Sequence, residues 1–211
     1  MKILKSYILK LWKEIIRLKF EDYFIPGTEV LKNKLGITDL DELIKIESKI
    51  SLERLTNLCA SDYEFIPSAD YLCSIHKYLF ESIYEFAGVY REVEIFKETG
   101  FLKPELIKEE LPKVIKKYND LEVNTSNKFE IARILGEFYR ELIYIHPFRE
   151  GNGRSIREFL REFAEYKFNY QIDYSKIDKK NFLLGITSRE LYPLLIAYEI
   201  YNAMEEKEKV R

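Results

Sequence analysis

The sequence predicts an all-α domain that carries one small β-hairpin. Apolar residues recur at helical spacing over most of the chain, and the stripe across residues 128–145 is a clear example. Residues 89–101 differ, because β-forming side chains recur there with a period of two before the turn-prone residues 97–100. No internal repeat or low-complexity linker divides the 211 residues, a length that one hydrophobic core can serve. We therefore expect a single, mainly helical domain.

Apolar stripes of the same kind predict the other helices. They lie at residues 1–20, 43–55, 71–86, 106–118 and 182–204. Pro104 and Pro112 are expected to mark helix starts, and Gly185 or Pro193 is expected to break the closing helix.

The two ends of the chain differ from its centre. Residues 1–21 predict a basic amphipathic helical extension, in which lysines interrupt any signal-peptide core. We expect this helix to pack on the domain or on a second copy, and the alternative is a membrane surface. Residues 22–200 form the predicted main domain, and residues 201–211 a charged, solvated tail.

The most informative segment follows the stripe at residues 128–145. Pro147 cannot continue that helix, so it is expected to end at His146. Helical spacing then resumes, which places a second helix start near Asn152 or Gly153. The first N–H groups of a helix lack intrahelical partners and lie at the positive end of its dipole. The sequence therefore predicts an anion site at this turn, with phosphate as its natural ligand.

Side chains around the turn supply the rest of a nucleotide site. Arg154 and Arg157 are three residues apart, so both guanidinium groups project from one helix face toward phosphate oxygens. Glu150 fits a Mg²⁺ ion that arrives with the phosphates, because magnesium takes few protein carboxylates. His146 is placed to act as a general base at neutral pH, and Phe148 is expected to anchor the loop. A plain helix corner is the alternative, but a corner does not require this combination.

The segment from His146 to Arg157 resembles the signature of the Fic family, HPFx(D/E)GNGRxxR, with every specified position filled. Residues 22–37 resemble the usual lead-in of that family, and residues 79–91 resemble the stretch before its β-hairpin. The resemblance extends from about residue 22 to about residue 198. It implies a Fic-type helical domain with a small hairpin, called the flap, over the active site.

The resemblance also implies an activity, the transfer of AMP from ATP to a Tyr, Ser or Thr hydroxyl of a target protein, with release of pyrophosphate. In that reaction His146 would deprotonate the hydroxyl, and Glu150 would hold Mg²⁺ between the α- and β-phosphates. The anion cradle and the two phosphate-binding arginines would be Gly151, Asn152, Gly153, Arg154 and Arg157.

The flap of the family holds an extended target segment by strand addition, which an exposed strand edge favours. The residues expected to bind the target in this way are Arg91, Glu92, Val93, Glu94, Ile95, Phe96 and Lys97. A small hairpin with a purely structural role is the alternative.

Many Fic proteins are inhibited by a helix with the motif (S/T)xxxE(G/N), whose glutamate pairs with the second arginine, here Arg157. Thr38 with Glu42 and Ser126 with Glu130 have the right spacing, but neither pair completes the motif. We therefore expect a toxin-like enzyme that is inhibited by a separate, small antitoxin-like protein. A degenerate internal inhibitor in a terminal helix is the competing idea.

Composition excludes several other classes of function. A net charge of −2 gives no global basic bias toward nucleic acid, and no apolar run reaches the length of a membrane span. The two histidines form no cluster with cysteine, which argues against a zinc enzyme, and His76 is expected to be structural. Cys59 and Cys73 are expected to be reduced thiols of a cytoplasmic protein, with export as an effector as the alternative.

Two other functions stay open from the sequence. The related Doc proteins phosphorylate their targets and typically carry Lys where Gly153 stands, so the intact motif favours AMP transfer. Transfer of a different nucleotide is a variant of the same chemistry. A catalytically silent, nucleotide-responsive interaction module is the alternative from another class, and His146 and Glu150 argue against it. A homo-oligomer is a further alternative that the sequence leaves open.

Overall fold

The structure is a computed structural model that describes residues 21–60, 64–95, 100–187 and 192–207. Helices dominate the described residues, so the all-α fold class is confirmed. Their bounds are α1 (Leu40–Cys59), α2 (Ala69–Phe80), α3 (Pro104–Asp120), α4 (Lys128–Ile145), α5 (Asn152–Phe168), α6 (Lys179–Thr187) and α7 (Tyr192–Ala203). The extension expected at residues 1–20 lies outside the described residues.

Capping residues explain where several helices begin. The side chains of Asp39, Ser68 and Asn127 accept hydrogen bonds from first-turn amides of α1, α2 and α4. Pro104 lies at the first turn of α3, where its missing N–H costs nothing. Each of these signals can be read from the sequence, because it depends only on neighbouring residues.

The core lies around α4, which packs against α3, α5 and α7, while α2 packs against α1 and α5. Phe138 of α4 and Phe163 of α5 are fully buried, and their ring centroids lie 4.8 Å apart in an edge-to-face arrangement. The loop at residues 146–151 joins these two helices, so both of its ends are fixed by the core.

The strands of the structure lie away from the predicted hairpin. β1 (Tyr170–Ile172) and β2 (Met204–Glu206) pair antiparallel, with Ile172 opposite Met204. Residues 204–206 lie in the segment predicted as a charged, solvated tail, and Glu205 and Glu206 are exposed, but the three residues form a strand that was not predicted. They form a strand because both Ile172 and Met204 are buried, so the pairing covers apolar surface.

The hairpin predicted at residues 89–101 is not formed as a strand at residues 89–95. The expected alternation is seen at residues 91–93, where Arg91 and Val93 are buried and Glu92 is exposed, but Val89 is exposed where an inward position was expected. Arg91 N–H donates to the Pro147 carbonyl at 2.8 Å, so this segment bonds to the loop after α4 instead of a neighbouring strand. The turn expected at residues 97–100 falls largely outside the described residues.

Proline positions were predicted with mixed success. Pro112 lies inside α3 instead of at a helix start. It lies on the exposed side of α3, where water can bond to the carbonyl that loses its partner. The closing stripe is divided into α6 and α7, which agrees with the break expected near Gly185 or Pro193.

Among the described helices, none has both the length and the apolar character needed to cross a bilayer.

Candidate active site

The candidate site is built on the loop at residues 146–151. His146 ends α4 in a left-handed conformation with φ of 47°, and Gly151 caps α5 with φ of 80°. Asn152 closes the loop from inside, because its Oδ1 accepts from Phe148 N–H at 2.8 Å and its Nδ2 donates to the Phe148 carbonyl at 2.7 Å. Phe148 is fully buried, as predicted, so the loop is anchored to the core at its centre.

The N-terminus of α5 presents main-chain N–H groups beside this loop. The first backbone hydrogen bond of the helix runs from Ser155 N–H to the Gly151 carbonyl at 3.2 Å. The N–H groups of Asn152, Gly153 and Arg154 therefore precede the regular helical ladder. They are the donors of the expected anion cradle, to which Asn152 contributes its main chain, since its side chain is bound within the loop.

The ring of His146 is oriented by two contacts. Its Nδ1 lies 3.2 Å from the Ile143 carbonyl, and its ring stacks on Phe101 with centroids 3.8 Å apart. A carbonyl oxygen only accepts hydrogen bonds, so Nδ1 carries the proton in the neutral ring and Nε2 carries the lone pair. This tautomer is the one that a general base at Nε2 requires.

Arg91 was expected to face the target, but it is buried. Its Nε donates to the His146 carbonyl at 2.7 Å and its Nη1 to the Val93 carbonyl at 2.8 Å, while Nη2 donates to the carbonyls of Leu102 and Ile145. Burial lowers the pKa of the guanidinium from its usual value. The last carbonyls of a helix lack intrahelical partners, so Arg91 satisfies the end of α4 and ties the flap segment to it. Its side chain therefore has a structural role and does not face a target.

The other flap residues divide by exposure. Val93 is buried, so its side chain also faces inward and not toward a target, while Glu92 is exposed and Glu94 and Ile95 are half-buried. The remaining two predicted flap residues, Phe96 and Lys97, lie outside the described residues.

Arg154 is held by α1. Its Nη2 donates to Glu47 Oε1 and its Nη1 to Ser51 Oγ at 2.9 Å, and its guanidinium lies 4.7 Å from the centroid of the Phe80 ring. Phe80 also packs under Gly151, where a Cβ would lie 2.4 Å from Phe80 Cε2. Sequence reasoning missed Glu47 and Ser51, although their spacing of one helical turn places them on one face of α1.

Arg157 lies across the first turn of α5. A Cβ on Gly153 would be 3.2 Å from Arg157 Nη1, so glycine leaves the space that the guanidinium occupies. The ring of Tyr174 lies 6.0 Å from the guanidinium carbon, and the buried Tyr139 hydroxyl lies near enough to Arg157 to interact with its charge. Burial raises the pKa of the Tyr139 hydroxyl, which stays a neutral partner for the cation.

A cleft of about 800 Å³ lies between α1 and the start of α5. Its lining brings together Glu150, Arg154 and Arg157 with further charged side chains, among them Glu47 and Arg149. Apolar side chains of α1 also line it, namely Leu40, Leu43, Ile44, Leu52 and Leu55. The volume is in the range of small-molecule sites. His146 does not line this cleft, because it lies at the other end of the loop.

Glu150 is the carboxylate available for a metal ion. Its side chain is 44% exposed, its Oε1 accepts from Gly151 N–H at 2.9 Å, and Arg154 Nη2 lies 3.9 Å from the same oxygen. Within the described ranges no group of three or more His, Cys, Asp or Glu side chains is placed to hold a metal. A magnesium ion at Glu150 would therefore take most of its ligands from phosphate oxygens and water, as magnesium commonly does.

His76 supports the loop from behind, in agreement with the structural role predicted for it. The ring is fully buried and stacks on Phe148 with centroids 3.8 Å apart. Its Nδ1 accepts from Gly88 N–H at 2.7 Å, so Nε2 carries the proton and donates to the Glu150 carbonyl at 2.9 Å. Burial lowers the pKa of His76 to about 4.

This depressed pKa predicts a loss of stability in acid. The unfolded chain binds a proton at this histidine below about pH 6.5 and the folded chain only below about pH 4, so unfolding is favoured as pH falls between these values. The loss from this residue is at most about 3 kcal/mol. Urea unfolding across this range should show it in the wild type and not in His76→Gln, which keeps an acceptor and a donor but does not titrate. Parallel pH profiles of the two proteins would contradict the assignment.

Comparisons with known proteins agree with this fold and this loop. The profile of the Fic/DOC family matches residues 66–164. The chain is 33% identical over 165 residues to the probable protein adenylyltransferase y4lH of Sinorhizobium fredii. The match covers 75% of this chain and 82% of that protein. It is 32% identical over 162 residues to the protein adenylyltransferase VbhT of Bartonella schoenbuchensis, where it spans 34% of that longer protein. The chain therefore belongs to the Fic/DOC family.

Solved structures confirm the Fic-type helical fold. The N-terminal Fic domain of a putative cell filamentation protein from Bartonella quintana, with bound ADP, matches with a TM-score of 0.78 at 24% identity, over 89% of this chain and 96% of that one. The BepC protein of Bartonella tribocorum, with bound AMPPNP, matches with a TM-score of 0.77 at 24% identity, over 89% of this chain and 98% of that one.

Proposed function

We propose that this protein is a protein adenylyltransferase, which transfers AMP from ATP to a Tyr, Ser or Thr hydroxyl of a target protein. The observation that carries the proposal is one loop with a base at one end and two arginines at the other, where a helix N-terminus adds N–H donors. The relatives named protein adenylyltransferases and the related structures with ADP or AMPPNP support it.

In the proposed reaction His146 Nε2 takes the proton of the target hydroxyl as the hydroxyl oxygen attacks the α-phosphorus. A bond forms between that oxygen and the α-phosphorus, and the bond from the α-phosphorus to the oxygen shared with the β-phosphate breaks. Pyrophosphate leaves with the electron pair of that bond. Arg154 and Arg157 hold the β- and γ-phosphates, so most of the catalysis comes from positioning and charge neutralisation.

Magnesium fits this arrangement at Glu150, which lines the same cleft as the two arginines. The ion would supply positive charge that neutralises the phosphates of ATP. Glu150 Oε2 is the oxygen suited to hold it, because Oε1 is hydrogen-bonded to Gly151 N–H. The N–H groups of Asn152, Gly153 and Arg154, at the positive end of the α5 dipole, would add hydrogen-bond donors for the phosphate oxygens.

The target segment is proposed to bind along the outer side of the flap. Glu92 is exposed there, and Glu94 and Ile95 are half-buried. A segment that binds beside this region in extended form would present its hydroxyl near His146, because Arg91 ties the base of the flap to the His146 carbonyl.

Gly153 favours adenylyl transfer over phosphorylation. A side chain at this position would press on Arg157 Nη1, which lies only 3.2 Å from the place of a Cβ. The glycine therefore keeps Arg157 beside the cleft, where a guanidinium fits the terminal phosphate of ATP and directs the α-phosphorus toward the base. A phosphorylating enzyme or a silent nucleotide-responsive module stays the alternative.

The experiment that identifies the reaction and the target together is incubation with labelled ATP, Mg²⁺ and host lysate. We expect proteins modified by AMP on a hydroxyl, which mass spectrometry can locate. The matched control is His146→Ala in the same lysate, because it retains the phosphate site. Phosphorylated proteins that depend on His146 would support the Doc-like alternative.

Inhibition is proposed to come from a separate antitoxin-like protein whose helix carries the (S/T)xxxE(G/N) motif. Ile44 and Leu52 of α1 are 53% and 66% exposed, and they line the cleft beside Arg157. An amphipathic helix could cover these residues while its glutamate pairs with Arg157. The internal candidates are placed less well, since Glu130 pairs with Arg133 on its own helix and Glu42 is exposed at the start of α1.

The external-inhibitor proposal predicts that the purified chain alone is active. Removal of residues 1–20 should not increase its rate of transfer, provided that the shortened chain remains folded by circular dichroism. A silent full-length chain that becomes active on this truncation would instead identify an internal inhibitor.

We also propose that the protein acts in the cytoplasm, and export as an effector is the alternative.

A further inference from the structure

We infer that Glu47 of α1 is a positioning residue for the first arginine of the motif, a role that rests on the proposed function and adds a residue to its machinery. Glu47 is 8% exposed and accepts from two groups, Arg154 Nη2 at Oε1 and the Tyr84 hydroxyl at Oε2. Ser51, 1% exposed and one helical turn away, accepts from Arg154 Nη1 at 2.9 Å. The guanidinium is thus fixed from outside the motif.

These contacts define the orientation of the Arg154 guanidinium. The group is a planar fork with five N–H donors. Glu47 and Ser51 take one donor on each terminal nitrogen, and the Phe80 ring lies 4.7 Å away and limits tilting of the plane. Three N–H groups, on Nε and on both terminal nitrogens, are left for phosphate oxygens. The proposed β-phosphate ligand is therefore oriented before the nucleotide binds.

Burial explains why Glu47 supports the arginine instead of competing with phosphate for it. If Arg154 left Glu47 to follow the nucleotide, a buried carboxylate would lose its cation, which is strongly unfavourable. Burial and the bond to Glu47 also raise the pKa of the Tyr84 hydroxyl, so this second partner of Glu47 stays a neutral donor. The network of α1 is thus expected to keep Arg154 in place through the reaction.

The alternative role for Glu47 is an internal brake. Among the described residues, both Glu47 and Glu150 lie within ion-pair distance of Arg154, and the pair with Glu47 is the shorter. Glu47 also lies on a helix that precedes the motif in the sequence. A brake and a positioning residue predict opposite changes in rate when the charge is removed, so one substitution separates the two roles.

The test measures nucleotide affinity and transfer in Glu47→Gln. The Kd for ADP should rise by about tenfold, because Arg154 loses its charge-assisted partner. The Kd for AMP, which has no β-phosphate, should not change. Transfer from ATP should fall to a similar degree. Glu53→Gln, the same change at an exposed position of α1, is the matched control and should leave both affinities as in the wild type.

A double-mutant cycle shows whether Glu47 acts through Arg154. In an Arg154→Ala background, Glu47→Gln should have no further effect on ADP affinity. An unchanged effect in that background, equal loss of ADP and AMP affinity, or faster transfer by Glu47→Gln would each overturn the inference. Should Glu47→Gln not fold, Ser51→Ala removes the other contact and must show the same selective loss for ADP. Wild-type protein that binds ADP but transfers no AMP would refute the proposed function and leave the positioning role standing.

Discussion

Replacement of His146 by alanine should remove adenylyl transfer while ATP still binds. The imidazole acts on the incoming hydroxyl, and the phosphate groups are held by α5, so the loss should appear in the rate of transfer. General-base catalysis typically contributes roughly a hundredfold to ten-thousandfold, and we expect a loss in that range. The measurement is incorporation of AMP at saturating ATP, together with the Kd for ATP from calorimetry.

The control for this prediction addresses packing. His146 also stacks on Phe101, so its removal could disturb the flap segment. Phe101→Leu keeps the base and removes the stacking partner, and it should reduce transfer much less than His146→Ala does. If His146→Ala retained full activity, the general-base assignment would be wrong. If it lost ATP binding as well, His146 would have to be placed with the nucleotide ligands.

Replacement of Arg157 by alanine should have a comparable effect for a different reason. Arg157 is held over Gly153 and beside Tyr174, at the cleft that we assign to the phosphates. Without its guanidinium the α-phosphorus is no longer aligned with the attacking oxygen, and transfer should fall by roughly a hundredfold. Arg157→Lys should recover part of the rate, because it restores the charge but not the planar fork.

Gly153→Ala tests whether the position of the Arg157 guanidinium matters, because it keeps Arg157 and moves it. The new Cβ would lie 3.2 Å from Arg157 Nη1, so the guanidinium must shift by a few tenths of an ångström. The rate of transfer should fall less than in Arg157→Ala and in the same direction. Lys108→Ala, on the exposed face of α3, is a surface control that should behave as the wild type.

Unchanged transfer in Arg157→Ala would mean that Arg157 does not reach the triphosphate.

The active-site loop could be predicted closely because its signals are local. Pro147 fixes the end of α4 and Gly151 with Asn152 fixes the start of α5, and the structure places both boundaries where these residues predict them. The chemistry of the loop follows from the same residues, so fold class and family were accessible from the sequence.

The supports of the site could not be predicted, because they depend on contacts between distant segments. Glu47 and Arg154 come together only when α1 packs beside α5. Arg91 was interpreted as a flap residue from a period-two pattern that does not report whether an inward position meets a strand or a helix end. The strand pair of β1 and β2 escaped prediction because strands of three residues are too short to show a period of two.

The central claim is that the group transferred is AMP, and the position of the label in ATP tests it most directly. Wild-type protein and a purified target are incubated with ATP that carries radioactive phosphorus at the α-phosphate, and in parallel with ATP labelled at the γ-phosphate. We predict label on the target from the α-position alone, with the γ-label recovered in pyrophosphate, and no label on the target in His146→Ala. Label on the target from the γ-position alone would contradict the claim and identify the protein as a kinase.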